Sequence, residues 1–170
     1  MPIVNVKNNT PVSRAENKLA GAAQAFSYDF RGKTVLDIGS STGGFTEYAL
    51  LRGVKKVIAI EKGTNQMKAP LRFDPRIDLR EKTDIFSVTR SSLSSDQSEP
   101  KVNESKTDET KINEIKTNIK IDTILADVSF VSLKQVLLHT KKQLASLQTD
   151  FLVMLKPQFE ARPFQLKNGV

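Results

Sequence analysis

The sequence predicts an α/β fold, with a mostly parallel sheet covered by helices on both faces. Two observations indicate this class. Strand patterns alternate with helical patterns along the chain, which is typical of parallel sheets, and a glycine-rich turn joins the first strand to the next helix. The 170 residues, of which 38% are hydrophobic, are enough for one domain with its own core.

The first part of the chain contains two helical and two strand patterns. The helices carry apolar residues on one face, and Ser13 with Glu16 forms a capping box at the start of the first one. The strands are short apolar runs. In chain order we expect a helix over residues 13–26, a strand over 33–38, a helix over 45–52 closed by Gly53, and a strand over 57–60.

The second part of the chain continues this alternation. A short helical stretch is interrupted by a proline, and the last helix has an apolar stripe formed by Leu133, Val136, Leu137, Leu144 and Leu147. In chain order we expect the short helical stretch over residues 66–72, a strand over 76–79, a strand over 121–126, a helix over 132–147 and a strand over 151–155.

The segment over residues 91–120 differs from the rest of the chain in composition. Glu recurs at positions 99, 104, 109 and 114, and Lys recurs at 101, 106, 111 and 116. A period of five fits neither a helix nor a strand. We therefore expect a low-complexity, disordered insertion within a domain over residues 12–170, with a transient helix of mixed charge as the alternative.

Composition and charge narrow the class of protein. The formal net charge is +7, and the insertion holds 5 Lys and 6 acidic residues, so the other 140 residues carry +8. This charge favours an anionic partner. The absence of Cys excludes a disulfide framework and a thiolate site. Because the chain has neither a membrane-length apolar run nor a signal-peptide core, we expect a cytoplasmic protein without a membrane partner.

The glycine-rich turn carries the strongest local motif. Asp37, Gly39 and Gly43 fit the pattern D-x-G-x-x-x-G, which is typical of S-adenosylmethionine sites, whereas a dinucleotide fingerprint would need a glycine in place of Ser41. Glu61, at the end of the second strand, could accept hydrogen bonds from ribose hydroxyls in either class. A tight turn without a ligand is the remaining alternative.

Two other kinds of site are disfavoured. The chain lacks the G-x-x-x-x-G-K-[ST] pattern of a P-loop. The stretch from Gly39 to Gly43 does match the nucleophile elbow G-x-S-x-G, with Ser41 as the nucleophile. However, His139 falls inside the last predicted helix and off its apolar stripe. We expect this His on the surface, where it would not activate Ser41.

Five motifs follow one another along the chain. They are Ser13-Arg14-x-x-x-Lys18-Leu19, Asp37-x-Gly39-x-Ser41-Thr42-Gly43-Gly44-Phe45-Thr46, Leu71-Arg72-x-Asp74-Pro75-Arg76, Asp127-Val128-Ser129-Phe130-x-Ser132-Leu133 and Lys156-Pro157-Gln158-Phe159-Glu160. Together they resemble the hemolysin A (TlyA) family of FtsJ-like ribosomal RNA 2′-O-ribose methyltransferases, over residues 12–90 and 121–170. The resemblance implies a Rossmann-like S-adenosylmethionine-dependent methyltransferase fold, here without its C-terminal strands. It also implies ribosomal RNA or a ribosomal subunit as the partner.

The resemblance assigns catalytic roles to three residues. The family's catalytic set matches Lys18, Asp127 and Lys156, with Lys156 as the general base and the other two orienting the ribose. Arg14 and Lys18 share one face of the first helix and would contact RNA. Asp127 and Lys156 follow predicted strands, at the sheet edge where ligands of open α/β sheets bind.

The resemblance also implies a site for S-adenosyl-L-methionine, without a metal. Glu61 would accept the ribose hydroxyls, and Asp84, where the family usually has Asn, would receive the adenine amino group. The other expected cofactor residues come from the first strand and the glycine turn: Asp37, Gly39, Ser41, Thr42, Gly43, Gly44 and Phe45.

The chain departs from the family pattern in its length. The family's fourth catalytic residue, a Glu, lies downstream of Val170, and Glu160 is not its counterpart. A further helix, two further strands and the N-terminal S4-type RNA-binding domain of the family are also expected to be missing. A truncated, catalytically inactive protein that binds cofactor or RNA is therefore the alternative to an active enzyme.

Overall fold

Five parallel strands form the sheet in a computed structural model, which describes residues 14–94 and 119–161 and, of Arg14, only the backbone. The strands are β1 (Thr34–Ile38), β2 (Lys56–Ile60), β3 (Ile77–Arg80), β4 (Thr123–Ala126) and β5 (Asp150–Val153). They lie side by side in the order β3-β2-β1-β4-β5, and every neighbouring pair is parallel. The predicted α/β class is confirmed.

Helices and short 3₁₀ turns connect the strands. The helices are α1 (Arg14–Ala25), α2 (Gly44–Leu51), α3 (Arg90–Ser94), α4 (Leu133–Gln143) and α5 (Pro157–Glu160), and the 3₁₀ turns are Leu71–Phe73 and Ile85–Ser87. Helices α1, α2 and α4 match predicted helices, whereas α3 and α5 were not predicted. Within the described ranges, no helix is long and apolar enough to cross a membrane.

Apolar side chains cover both faces of the sheet, because successive residues of a strand point to opposite sides. Val35 of β1 belongs to a core with Leu19 of α1 and Tyr48 of α2. Its neighbour Leu36 belongs to the core on the other face, with Val136 of α4. The central strands are therefore buried on both sides, which explains their nearly continuous apolar sequences.

The strand register aligns the carboxyl ends of the three central strands. Ile38 of β1 lies opposite Ile60 of β2 and Ala126 of β4. Because the strands are parallel, the loops that follow them begin at one edge of the sheet, with Gly39, Glu61 and Asp127.

The predicted helical stretch over residues 66–72 is wrong for most of its length. Only the 3₁₀ turn at Leu71–Phe73 forms there. Pro70 has no N–H group to donate and restricts the backbone of the residue before it, so a regular helix cannot pass through this position.

Helix α4 ends about one turn earlier than predicted. The backbone N–H groups of Leu144 and Ala145 both donate to the carbonyl of Thr140. The guanidinium of Arg90 donates to the carbonyls of Leu144 and Ala145, at 2.9 and 3.1 Å, so these carbonyls are satisfied without a further helical turn. Leu147, which was predicted in the apolar stripe, is fully exposed.

The residues at both ends of the predicted insertion are part of the folded domain. Residues 91–94 complete α3, where Leu93 is buried in the core, and Ile119 packs against the same core. Residues 95–118 lie outside the described residues, so the disorder expected there stays a prediction. Ser13 of the predicted capping box lies outside them as well.

Candidate active site

The turn after β1 is tight and depends on two glycines. Gly39 and Gly43 have φ angles of 78° and 98°, in the left-handed region that glycine tolerates. A Cβ at Gly39 would lie 3.2 Å from the carbonyl oxygen of Asp127, and a Cβ at Gly43 would lie 2.3 Å from Cδ2 of Leu71. The glycines therefore allow the turn to pack directly against the loops on either side of it.

The carboxylate of Glu61 is held by backbone N–H groups at the carboxyl edge. Its Oε2 accepts a hydrogen bond from the N–H of Ser41 at 2.9 Å, and its Oε1 accepts one from the N–H of Gly63 at 2.7 Å. A phosphate-binding turn offers such amides to its ligand. Because a carboxylate takes the Ser41 amide, this edge suits a ligand with hydroxyl donors better than a pyrophosphate.

Gln66 is a site residue that the sequence pattern did not indicate. The hydroxyl of Ser41 donates to Oε1 of Gln66 at 3.1 Å, and Nε2 of Gln66 donates to Oε1 of Glu61 at 3.2 Å. These bonds join the glycine turn to the loop after β2. The wrongly predicted helix around residue 66 concealed this role, since only an irregular loop brings the side chain to the sheet edge.

His139 does not lie on the open surface, which corrects the expectation for it. The ring is half-buried, its Nε2 lies 2.9 Å from the carbonyl oxygen of Val88, and it packs edge-on against Phe86. The hydroxyl of Ser41 bonds instead to Gln66. These bonds give no support to a Ser–His hydrolase site.

Asp37 lies beneath the glycine turn and is not among the residues that line the cleft at this edge, so its expected contact with a cofactor stays a prediction. Its side chain is only 1% exposed. Oδ2 accepts a hydrogen bond from the Thr46 hydroxyl at 2.6 Å, while the buried Oδ1 accepts none within residues 14–94 and 119–161. Burial raises the pKa of Asp37 from 3.8 to about 7; the Thr46 hydrogen bond opposes this rise and the charge of Asp127 adds to it.

A cleft with two lobes runs along the carboxyl edge of the sheet. The large lobe encloses about 560 Å³, and the residues lining it include Glu61, Gln66, Asp84 and Phe130. The small lobe encloses about 260 Å³, and the residues lining it include Ser40, Thr42, Gly44, Phe45 and Lys156. Four residues line both lobes and mark their junction: Gly39, Ser41, Asp127 and Ser129.

Asp127 and Lys156 meet at this junction. Nζ of Lys156 lies 2.7 Å from Oδ1 of Asp127 and donates a hydrogen bond to the hydroxyl of Ser129 at 2.8 Å. The first contact is an ion pair rather than a well-directed hydrogen bond, since Oδ1 of Asp127 receives no hydrogen bond from the described part of the chain. Both side chains are mostly buried, with 20% and 16% of their surface exposed, so solvent screens this pair less than a surface ion pair.

The structure does not join Lys18 to this pair. Lys18 is exposed on α1 and makes no hydrogen bond or ion pair with a described residue. Ala15, one helical turn before it, lines the small lobe, so the helix itself borders the cleft. The side chain of Arg14 lies outside the described residues, and its expected contact with RNA stays a prediction.

Asp84 lines the large lobe, but both of its oxygens are already engaged. Oδ2 accepts a hydrogen bond from Nζ of Lys62 at 2.9 Å, and Oδ1 accepts one from the N–H of Phe86 at 3.1 Å. The hydrogen bond from Lys62 lowers the pKa of Asp84. The sequence pattern indicated Asp84 but not Lys62, whose ammonium lies beside the position expected for an adenine.

Two further residues of the cleft escaped sequence reasoning. Ser40 is buried and lines the small lobe, and its hydroxyl has no hydrogen-bond partner among the residues that the structure describes. Phe130 is 92% exposed, has a φ angle of 62° and lines the large lobe. An exposed aromatic ring in a left-handed backbone conformation is unusual, and its place within the Asp127–Leu133 motif was the only available signal.

Comparisons with known proteins connect the chain to methyltransferases. Residues 11–170 match the family model of the FtsJ-like methyltransferases. The chain is 32% identical over 169 residues to the 16S/23S rRNA (cytidine-2′-O)-methyltransferase TlyA of Mycobacterium tuberculosis, a match that covers 99% of this chain and 54% of the relative. It is 33% identical over 164 residues to hemolysin A of Brachyspira hyodysenteriae, covering 96% of this chain and 58% of the relative.

Solved structures agree with these matches. The crystal structure of a candidate hemolysin from Lactococcus lactis has a TM-score of 0.76 to this chain at 31% identity, over 95% of this chain and 66% of that one. A methyltransferase structure from Listeria monocytogenes, S-adenosylmethionine-dependent by its description, shares the fold at a TM-score of 0.53 and 20% identity, over 86% of this chain and 56% of that one. The chain spans about half the length of the curated relatives it matches.

Proposed function

Because the chain belongs to the FtsJ-like methyltransferase family, we propose that it transfers a methyl group from S-adenosyl-L-methionine to a ribose 2′-hydroxyl of ribosomal RNA. The observation that carries this proposal is the Asp127–Lys156 ion pair at the junction of the two lobes. A cofactor that extends from the large lobe across the junction and a ribose beside it in the small lobe would both adjoin this pair.

The residues present fit this cofactor. The large lobe, at about 560 Å³, has the size of a small-molecule site. The carboxylate of Glu61 lines this lobe beside the glycine turn, and negative charge suits a cationic sulfonium better than a phosphate. S-adenosylmethionine supplies an electrophilic methyl group on that sulfonium.

Glu61 and Asp84 would hold the adenosine part in the large lobe. Each carboxylate oxygen has more than one lone pair, so Glu61 keeps acceptor capacity beyond its bonds to Ser41 and Gly63. Ser40, with its unpartnered buried hydroxyl, and the backbone of the turn would face the polar end of the cofactor. These groups support cofactor binding at the turn.

Lys156 would accept the proton of the ribose hydroxyl. A hydroxyl is a weak nucleophile until it loses its proton, and a neutral amine within hydrogen-bond reach can take it. Lys156 would act in its neutral form, and the ammonium that forms when it takes the proton would keep the contacts with Asp127 and Ser129 seen in the structure. Asp127 therefore stabilises the charge that the reaction places on Lys156, and Ser129 fixes its direction.

Three features support an RNA partner. The charge of +8 outside residues 91–120 attracts a polyanion. The exposed Lys18 lies on the helix that borders the small lobe. The exposed ring of Phe130 offers a face on which an unpaired base can stack.

The proposal is tested by incubating the protein with methyl-labelled S-adenosylmethionine and ribosomal subunits or ribosomal RNA. We expect label in the RNA, at a nucleotide that resists alkaline cleavage because its 2′-oxygen is methylated. Cofactor binding is measured separately by calorimetry. Binding without any transfer would contradict the proposal and favour a protein that binds cofactor or RNA without catalysis.

A further inference from the structure

Two segments of the chain run side by side beyond the carboxyl ends of β4 and β5. We call residues 127–133 the β4 segment and residues 156–160 the β5 segment. Contacts join them at three successive places. The first place is the Lys156 contact with Asp127 and Ser129, the second is a ring contact between Phe130 and Phe159 at 5.3 Å, and the third is formed by Ser132, Leu133 and Glu160.

The third contact fixes the β5 segment to the start of a helix. Oε2 of Glu160 accepts a hydrogen bond from the hydroxyl of Ser132 at 2.7 Å, and Oε1 accepts one from the N–H of Leu133. Ser132 is the N-cap of α4, and Leu133 is its first residue. The first N–H groups of a helix have no partner within the helix, and a negative charge is favourable there.

The start of α4, to which Glu160 is bonded, is packed into the core. Leu133 and Val136 of α4 are both buried in the core beneath the sheet. The hydroxyl of Ser132 also accepts a hydrogen bond from the N–H of Gln135 at 3.4 Å, which closes the first turn. A side chain that is hydrogen-bonded at this point is therefore held in a fixed position relative to the packed core.

The position of Lys156 depends on such an attachment because its own helix, α5, is very short. It occupies the N-cap position of α5, which has only four residues and begins with Pro157. A single helical turn is not stable by itself. Glu160 is the last residue of that turn, so fixing Glu160 fixes the turn on which Lys156 begins.

We infer that Glu160 is a positioning residue, which holds Lys156 against Asp127 by fastening α5 to the N-terminus of α4. This inference rests on the proposed methyl transfer. Glu160 contacts Ser132 and Leu133 rather than the ion pair itself, so it acts through Lys156. Since the geometry of reacting groups governs rate far more than affinity, its loss should appear in the rate of the chemical step.

The test compares Glu160→Ala and Glu160→Gln with Gln158→Ala, an exposed change on the same short helix. Single-turnover methyl transfer is measured at saturating cofactor and RNA, with the two dissociation constants and the melting temperature. We expect Glu160→Ala to lower the rate by about tenfold or more, with both dissociation constants within about twofold of the unmodified protein. Glu160→Gln should recover part of the rate, because its amide oxygen can still accept from Leu133. Gln158→Ala should leave all values unchanged.

Three outcomes would overturn the inference. One is an unchanged rate for Glu160→Ala in a protein that transfers methyl groups, which leaves the proposed function intact. Another is an equal loss of rate in Gln158→Ala, which would show that any change in α5 slows the reaction and that Glu160 has no particular role. The last is no transfer by the unmodified protein, which removes the proposed function as well. If Glu160→Ala fails to fold, Glu160→Gln carries the same test, because it removes the charge and keeps an acceptor for the N–H of Leu133.

Discussion

The ammonium of Lys156 lies 2.7 Å from the carboxylate of Asp127, at the junction of the two lobes of the cleft. The two residues follow neighbouring parallel strands, β4 and β5, whose register places their carboxyl ends together. The pair is mostly buried and lies where the two lobes meet. In the proposed function, Lys156 would accept the proton of the ribose hydroxyl and Asp127 would stabilise the ammonium that forms.

Asp127→Asn removes the charge that pairs with Lys156 while keeping the size of the side chain. We expect the rate of methyl transfer to fall by roughly 10- to 100-fold, because the ammonium formed on Lys156 loses its counter-charge. The binding of S-adenosylmethionine, measured by calorimetry, should change much less. Asp29→Asn removes a fully exposed ion pair with Arg31 and serves as the control. Equal rates for the two variants would contradict this role of Asp127.

Gly43→Ala should deform the glycine turn. The added Cβ would meet Cδ2 of Leu71 at 2.3 Å, at a φ of 98°, so we expect a loss of about 1–3 kcal/mol in the free energy of unfolding and weaker cofactor binding. Gly21→Ala is the matched control. It lies within α1 with nothing within 4 Å of the new Cβ, and should stabilise the protein by about 0.5–1 kcal/mol. Urea unfolding measures both, and a stable Gly43→Ala would contradict the described turn.

The buried carboxyl of Asp37 predicts a pH dependence of stability. Its pKa is raised from 3.8 to about 7 in the folded protein, so between these values the folded state binds more protons than the unfolded state. The contribution of Asp37 to stability is therefore largest at low pH and is lost as the pH rises through about 7. Relative to Asp37→Asn, the protein should lose roughly 2–3 kcal/mol between pH 5 and pH 8. Urea unfolding at both pH values checks this, and a pH-independent difference would refute it.

Phe130→Ala tests the exposed ring at the large lobe. The ring is 92% exposed, so its removal should leave the melting temperature nearly unchanged. If a base stacks on it, RNA affinity should fall by about 1–3 kcal/mol at fixed salt. Phe26→Ala removes another exposed ring, outside the residues that line the cleft, and should not affect binding. Equal RNA affinities in a filter-binding assay would count against a stacking role.

The spacing of residues in the sequence predicted the part of the site that is formed by a single short segment, the glycine turn after β1. The glycines at 39 and 43 are required by the backbone of that turn, and such a requirement is visible in a short sequence. The alternation of strands and helices likewise predicted a parallel sheet, and hence that Asp127 and Lys156 would lie at one edge.

Contacts between distant segments could not be predicted in the same way. The depth of Asp37 depends on what packs over the turn, and the sequence pattern does not show whether a carboxylate reaches the cleft or lies below it. The bond from Glu160 to the start of α4 depends on the relative position of two loops. The bond from Arg90 to the end of α4 likewise joins two segments that are far apart in the sequence.

The most direct test of the account is the single-turnover rate of methyl transfer to ribosomal RNA by Lys156→Ala. Lys142→Ala, on the exposed side of α4, provides a control with the same change in charge. We expect Lys156→Ala to lower the rate by about 10²- to 10⁴-fold, as for the loss of a general base, while it still binds S-adenosylmethionine and RNA. A rate equal to that of Lys142→Ala would contradict the proposed role of Lys156.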